Sequence, residues 1–438
     1  MSLKAGFSRV CITPPLGTEL AGYFRTRAAD AVLDDLYLNT VVFENDGQRA
    51  VLISADLLYI RTSVCNTYLD RISERFSLPR EAIFIACTHI HTGPAFGDTG
   101  KNAYAHGSPL YDEYTGCKLC DAVQLAMNDL KPASLSTGIG EAKGISFIRR
   151  YLMKDGSTKT NPGIGNPAID HPLGTPNEEV RLVKVVREGG DDIYLVSFGV
   201  HPDVIGGTGI SADWPGFARR TVEKALDGVK CILFNGFQGD VNHINPAPLR
   251  GEWDIRRGYE HARRMGHTVA GAVLQICDCT TPVRGDSIRF GTSVLHLPTN
   301  RETELLEEAR RVVDEQKKSG ETVSAMQSAG MNTVRALRIL SLENGPDSLP
   351  SLLSAVAIGD VVFGGIQGEP FTEIGNRIRA ASPFGMTVLC CCVNGGSTYY
   401  PTSAAYDEGG YEANTSRLKK GGDDIIVDGM NSLLASLQ

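Results

Sequence analysis

The strongest constraint on this chain is a unit it repeats: an apolar β-type run, a Gly- or His-rich loop, then an amphipathic helical stretch. AIFIAC (82–87) runs into THIHTGPAFGDTG (88–100), and a helix follows from about Leu110 to Leu130. IYLVSFGV delivers His201, and a helix follows over 214–227. KCILFN (230–235) leads into GFQGDVNHINP and a helix over roughly 253–276. LLSAVAIGDVVFGGI reads as a hairpin that ends at Gln367-Gly368-Glu369-Pro370, with a helix behind it, and MTVLCCCV opens into a tyrosine-rich loop. Two more hairpins are written into the pattern, one around Asn45-Asp46-Gly47 and one across Gly189-Gly190. The alternation predicts an α/β protein of layered mixed β-sheets flanked by helices. The hairpins exclude a purely parallel sheet. In open α/β sheets ligands bind beyond the carboxyl ends of strands, and the polar clusters of this chain fall there.

Composition narrows the classes of function. With 438 residues and a formal charge of −8, the chain can bury a large core but lacks the clustered Lys and Arg that neutralise nucleic-acid phosphates. No apolar run reaches the roughly 18 residues of a membrane span, and the opening MSLKAGFSRVCITPPLG has no signal-like apolar segment. The cysteines number eleven, an odd count, and several sit in apolar strand-like runs, so we expect reduced thiols and a cytoplasmic protein. Cys117 and Cys120 form a CxxC inside a predicted helix, where a packing pair is the simpler explanation. Residues 301–319 read as a charged amphipathic helix with a solvated face. There is no short-period repeat. The whole of 1–438 reads as one catalytic region, and a boundary, if the chain has one, falls near 280–300.

Four clusters carry the chemistry, each after an apolar run. In an extended Thr88-His89-Ile90-His91, the two histidines point to the same side, and neutral imidazoles suit zinc. A hydrogen-bonded structural pair explains HxH nearly as well. His201-Pro202 ends a strand, where a lone histidine is more often structural. Glu369 stands at a strand-to-helix junction, where the helix dipole alone favours an acid. Tyr399, Tyr400, Tyr406 and Tyr411 form an aromatic cluster that packing alone would also explain. Together they offer imidazole, carboxylate and phenol at neighbouring strand ends, a set compatible with catalytic zinc. Mn²⁺ or Fe²⁺ would tolerate the same donors.

The order of these segments resembles the catalytic domain of the neutral, non-lysosomal ceramidases, from GFSRVCITPPLGTELAGY to Tyr411-Glu412. THIHTGP is similar to the family's THTHSGPG, VHP (200–202) to its VHP, and ISADWPG (210–216) to its SGDNKG. FQGDVN (237–242) is similar to its LGDVSPN, and GEPFTEIG (368–375) to its GEFTT. The resemblance implies a Zn²⁺ held by His89, His201, Glu369 and Tyr399, activating a water against an amide carbonyl. It implies His91 as proton relay, with Arg149 and Tyr411 as hydrogen-bond donors to the oxyanion. Asp213 and Asp240 are expected to orient loops.

Two departures shape the expected substrate. Gly236 stands where we match the family's active-site serine, and the C-terminal β-sandwich of ceramidases is expected to be absent. The resemblance therefore implies a zinc-dependent hydrolase of a small N-acyl amide rather than of ceramide. A zinc esterase, or a degenerate member that only binds a small ligand, are the alternatives. The loop from His106 to Asp112 and the segment Lys154–Asp170 are expected to shape the pocket.

Overall fold

The computed structural model describes residues 3–97, 105–319, 332–396 and 398–438; residues 98–100 of the expected 88–100 loop lie outside them. The large sheet has two halves. The first holds β1 (Lys4–Cys11), β2 (Tyr37–Asn45), β3 (Gln48–Ala55) and β4 (Ile83–Cys87). The second holds β5 (Lys131–Glu141), β6 (Glu179–Arg187), β7 (Asp192–Phe198) and β8 (Val229–Asn235). Their order is β8-β7-β6-β5-β1-β2-β3-β4, with a short Thr281–Pro282 segment beside β5. The halves join lightly, through Lys4 opposite Pro132 and Ala5 opposite Lys131. Each half ends in a parallel pair, β3–β4 and β7–β8, and antiparallel neighbours fill the rest. The β2–β3 hairpin turns at Asp46 (φ 46°) and Gly47 (φ 78°), the positive-φ pair that a two-residue turn requires.

A second sheet runs β9 (Ile288–Pro298), β10 (Ser348–Ile358), β11 (Val361–Ile366) and β12 (Met386–Cys390), with the last pair parallel. Most of the 280–300 region is therefore β9, paired with β10 along its whole length.

Helices cover the outer faces. α1 (Thr62–Phe76) and α2 (Pro109–Asn128) pack on the first half of the large sheet. α3 (Asp213–Ala225) and α4 (Tyr259–Ile276) pack on the second half. α5 (Leu306–Ser319) and α6 (Thr333–Ser341) pair with each other through Ala309, Val313, Ala336 and Ile339. α5 thus has an apolar contact face as well as a solvated one. α7 (Thr372–Ala381) and α10 (Gly422–Ser436) cover the second sheet, and the short α8 (Ser403–Glu408) and α9 (Tyr411–Thr415) lie between them in sequence. The inner faces of the two sheets share one core that includes Phe43, Phe84, Phe234 and Phe363.

α4 starts at Tyr259, later than the expected 253, because Gly258 takes φ 84° and cannot continue a helix backwards. Residues just before it are pinned by Arg256, whose guanidinium donates to Asp254. α3 crosses α4 at Gly266, where a Cβ would lie 2.4 Å from Phe217 Cβ. A buried ion pair ties α3 to the first half-sheet: Arg219 donates to both carboxylate oxygens of Asp56, at 3.1 and 2.9 Å. Among the described residues no helix is long and apolar enough to cross a membrane. The eleven cysteines are all free.

Candidate metal centre

His89 follows β4 with φ 72°. The extended alternation expected for His89 and His91 is therefore corrected, because a left-handed kink, rather than strand pleating, brings the two rings together. Such a conformation costs about 1–3 kcal/mol in a non-glycine residue and persists only where surrounding contacts hold it. Here the His89 N–H donates to Leu57 O at 2.8 Å, and the His91 N–H donates to Pro202 O at 3.3 Å, binding this loop to the one after β7.

Each of three imidazoles uses Nδ1 on the backbone. His89 Nδ1 meets Leu58 O at 2.9 Å, His91 Nδ1 meets Gly22 O at 3.0 Å, and His201 Nδ1 meets Gln238 O at 3.0 Å. A carbonyl only accepts, so Nδ1 carries the proton and Nε2 holds a lone pair in the neutral ring. One ring nitrogen from each of His89, His91 and His201 lies within 4.8 Å of the others. Glu369 Oε2 lies 3.2 Å from His89 Nε2 and 3.1 Å from His201 Nε2. Lone pairs that converge on a carboxylate oxygen at such distances repel unless a positive charge sits among them. His91 Nε2 is buried with no partner, which leaves a further lone pair at the cluster's edge. Imidazole and carboxylate donors of this kind, with the other ring nitrogens fixed by carbonyls, suit a divalent metal ion.

The histidines and the carboxylate shift one another strongly. Burial lowers the His89 pKa, but the Glu369 carboxylate outweighs it and the net shift is upward. His91 is pushed down to about 3 by burial and by His89, and His201 to about 4 by burial and by Arg149. Burial alone would raise Glu369, yet His89 and His201 hold it well below the usual carboxylate range.

A separate two-stranded pair, entered just after β11 and after β12, supplies the oxygen donors. Glu369–Pro370 pairs in parallel with Tyr399–Tyr400, which sets Glu369 opposite Tyr399. The Glu369 N–H donates to Thr398 O at 2.8 Å. Gly368 allows this approach: it has φ 100°, and a Cβ there would stand 2.4 Å from Thr398 O. The Tyr399 and Tyr411 rings are 5.7 Å apart, and the Arg149 guanidinium lies 5.3 Å and 5.9 Å from their centroids. Arg149 donates to Glu412 Oε1 at 2.6 Å and Gly239 O at 2.7 Å, and its Nη1 approaches His201 Nε2 at 3.5 Å. Burial, then Glu369, pushes the Tyr399 phenol up; burial also keeps Tyr411 protonated. His89, His91, Glu369, Tyr399 and Tyr411 line a cavity of about 480 Å³ whose wall also includes Phe24, Leu58, Phe96 and Leu337.

By sequence, the chain matches no family model and no curated protein. By structure, the whole chain superposes on 74% of the crystal structure of neutral ceramidase from Pseudomonas aeruginosa, with TM-score 0.74 and 16% identity. It superposes equally on 75% of a structure described as ceramidase complexed with C2, with TM-score 0.72 and 16% identity. The fold is that of neutral ceramidase.

Within this ceramidase fold, His89, His201 and Glu369 meet at one point, and Tyr399 lies beside them through its pairing with Glu369. His91 stands in the three-histidine cluster itself. Arg149 and Tyr411 line the Tyr399 side. Asp213 accepts from the Val204 and Ile205 N–H groups at 3.1 and 2.9 Å, which holds the loop after His201. Asp240 accepts from Thr372 N and Oγ1 at 2.7 and 2.8 Å, which holds the segment after Glu369.

Gly236 stands apart from the main cavity's wall. It lies at the end of β8, its N–H bonded to Phe198 O at 3.0 Å, and a Cβ there would press on Gly199 rather than enter the main cavity. Asn242, in the same loop, donates to Asn161 Oδ1 at 2.7 Å.

Sequence reasoning missed several residues here. Tyr23 donates to Asp203, and its ring lies 5.6 Å from that of His91; Asp203 was legible only as the residue after His201-Pro202. Arg27 donates to His91 O at 2.8 Å. Cys392 Sγ lies 3.5 Å from His89 Nδ1, and Gln238 Nε2 lies 3.5 Å from Glu369 Oε2. No sequence signal marked Arg27 or Gln238.

Proposed function

We propose that this chain is a zinc-dependent hydrolase that cleaves the amide bond of an N-acyl substrate, with residues 1–438 acting as one catalytic unit. The observation that carries the reading is the convergence of His89 Nε2, His201 Nε2 and Glu369 Oε2 without a partner proton between them in the neutral tautomers. His89, His201, Glu369 and Tyr399 would hold the zinc. Bound zinc supplies Lewis-acid polarisation and a nucleophilic water at neutral pH. His91 Nε2, free of other partners, takes the proton of the attacking water and returns it to the leaving amine. Tyr411 and Arg149 donate hydrogen bonds to the carbonyl oxygen as it gains charge. Glu412 and the Gly239 carbonyl keep Arg149 in place for that task. The apolar wall of the cavity excludes water and takes the acyl chain. The likeness to structures named ceramidase supports an amide as the bond cleaved.

Metal content of the purified protein is the test, together with hydrolysis of a panel of acyl amides and nitrophenyl esters. The expected result is about one zinc per chain, lost in His89→Ala combined with Glu369→Ala, and amide turnover lost with it. Turnover of esters alone would assign the site to an esterase. Folded wild-type protein that takes up no added zinc would overturn the reading.

A further inference from the structure

Two arginines stand between the metal centre and a second hollow. Arg61, just ahead of α1, and Arg417, just after α9, line the main cavity and also an adjoining one of about 350 Å³. Among the described residues, neither guanidinium has an ion pair or a hydrogen bond, and Arg417 Nε is buried and unsatisfied. A guanidinium is always charged and carries five donors, so a half-buried one without acceptors is an unfavourable arrangement in the free protein. Arg338, on the same cavity wall, shows the contrast. It donates to Glu302 and, at 2.6 Å, to Asn300 O.

The surroundings offer no acid to either group. Glu369 is the carboxylate found in the main cavity's wall among the described residues, and it faces the histidines; the adjoining cavity's wall has none. Thr62 and Ser63, which open α1, line that second cavity. The first turn of α1 contains no acidic residue, and no side chain caps it. The positive end of a helix dipole therefore adds to the two guanidinium charges. The two hollows also share Thr398, whose carbonyl binds the Glu369 N–H, so the cationic site begins one residue from the metal centre.

We propose that Arg61 and Arg417 form an oxyanion-binding subsite, and that the substrate is an acyl amide whose amine portion carries a carboxylate or phosphate. Placed on the hydrolase reading above, this makes the substrate class N-acylated amino acids or N-acyl phosphoamines, with the acyl chain against Phe24, Leu58, Phe96 and Leu337. A planar guanidinium pair matches a carboxylate or phosphate by bidentate hydrogen bonds.

Three probes that share one acyl chain separate the outcomes: N-hexanoylglycine, N-hexanoylglycinamide and N-hexanoyl-O-phosphoethanolamine. Calorimetric binding to the zinc-loaded protein should show at least one acidic probe bound roughly tenfold or more tighter than the neutral amide. Arg61→Gln and Arg417→Gln should each remove most of that preference while leaving binding of the glycinamide unchanged. The favoured acid, glycine or phosphoethanolamine, identifies the oxyanion. Equal affinity for all three probes in the wild type overturns the inference without needing a variant. So does a preference that survives both substitutions in folded protein. Arg-dependent binding without any turnover would leave the subsite standing and sink the hydrolase reading. Turnover with no charge preference would do the reverse.

Discussion

Asp213 illustrates how a residue away from the reacting atoms governs the site. Its buried carboxylate holds the loop behind His201 by accepting backbone N–H groups, yet burial outweighs those donors and pushes its pKa up to about 7. An acid whose folded pKa exceeds its unfolded one binds more protons in the folded state, so stability is lost as pH rises between the two values. This group's contribution should therefore fall from about pH 4 to about pH 7. Tm measured at pH 5 and pH 8 should drop more for the wild type than for Asp213→Asn; parallel slopes would refute this account. At this scale the sequence was informative wherever chemistry is intrinsic to the residue. His89, His201 and Glu369 could be singled out because imidazole and carboxylate carry metal chemistry in themselves, while each alone had a structural explanation and only the resemblance to ceramidases grouped them as a ligand set. The left-handed turn at His89 and the Tyr23–Asp203 contact could not, because both arise from distant chain segments meeting.

Elements followed the hydrophobic pattern closely where the pattern was strong. α3 and the hairpin β2–β3 formed where periodicity and the Asn-Asp-Gly turn placed them. β5 was not legible, since KPASLSTGIGE is poor in apolar residues and half-exposed; its register comes from β6, which pairs with it along the strand. The burial of Asp56 against Arg219 was equally silent in the sequence, because it joins α3 to the end of β3 across many residues. Removing one member of a buried ion pair strands the other in a low-dielectric interior, at a cost of about 3–5 kcal/mol. Asp56→Ala should therefore lower unfolding stability by about that amount in denaturant titration. A loss below about 1 kcal/mol would mean the pair behaves as a solvated one.

For the whole molecule, the donors come from separate places: His89 and His201 follow strands in the two halves of the large sheet, and Glu369 lies in the short two-stranded pair that follows β11. The large sheet's halves meet through few residue pairs, so an ion held by all three donors would act as a cross-brace. Binding to the folded state alone raises stability, by about 4 kcal/mol at a thousandfold excess over Kd. Stripping metal with a chelator should thus lower Tm by several degrees, and re-adding zinc should restore it. The same treatment should leave the Tm of His89→Ala unmoved. The layered α/β class was legible from the alternation of runs, whereas the stacking of one sheet on the other depends on which apolar faces meet in space.

The α5–α6 pair has one more consequence. The chain leaves β9 at Pro298 and re-enters β10 at Ser348, and these two residues are cross-strand partners. The excursion between them begins and ends at the same place, yet α6 contributes Val334 and Leu337 to the wall of the main cavity. Such a segment is a replaceable cassette. A shorter or longer segment exchanged for it would reshape that wall while leaving in place the strands that carry the donors.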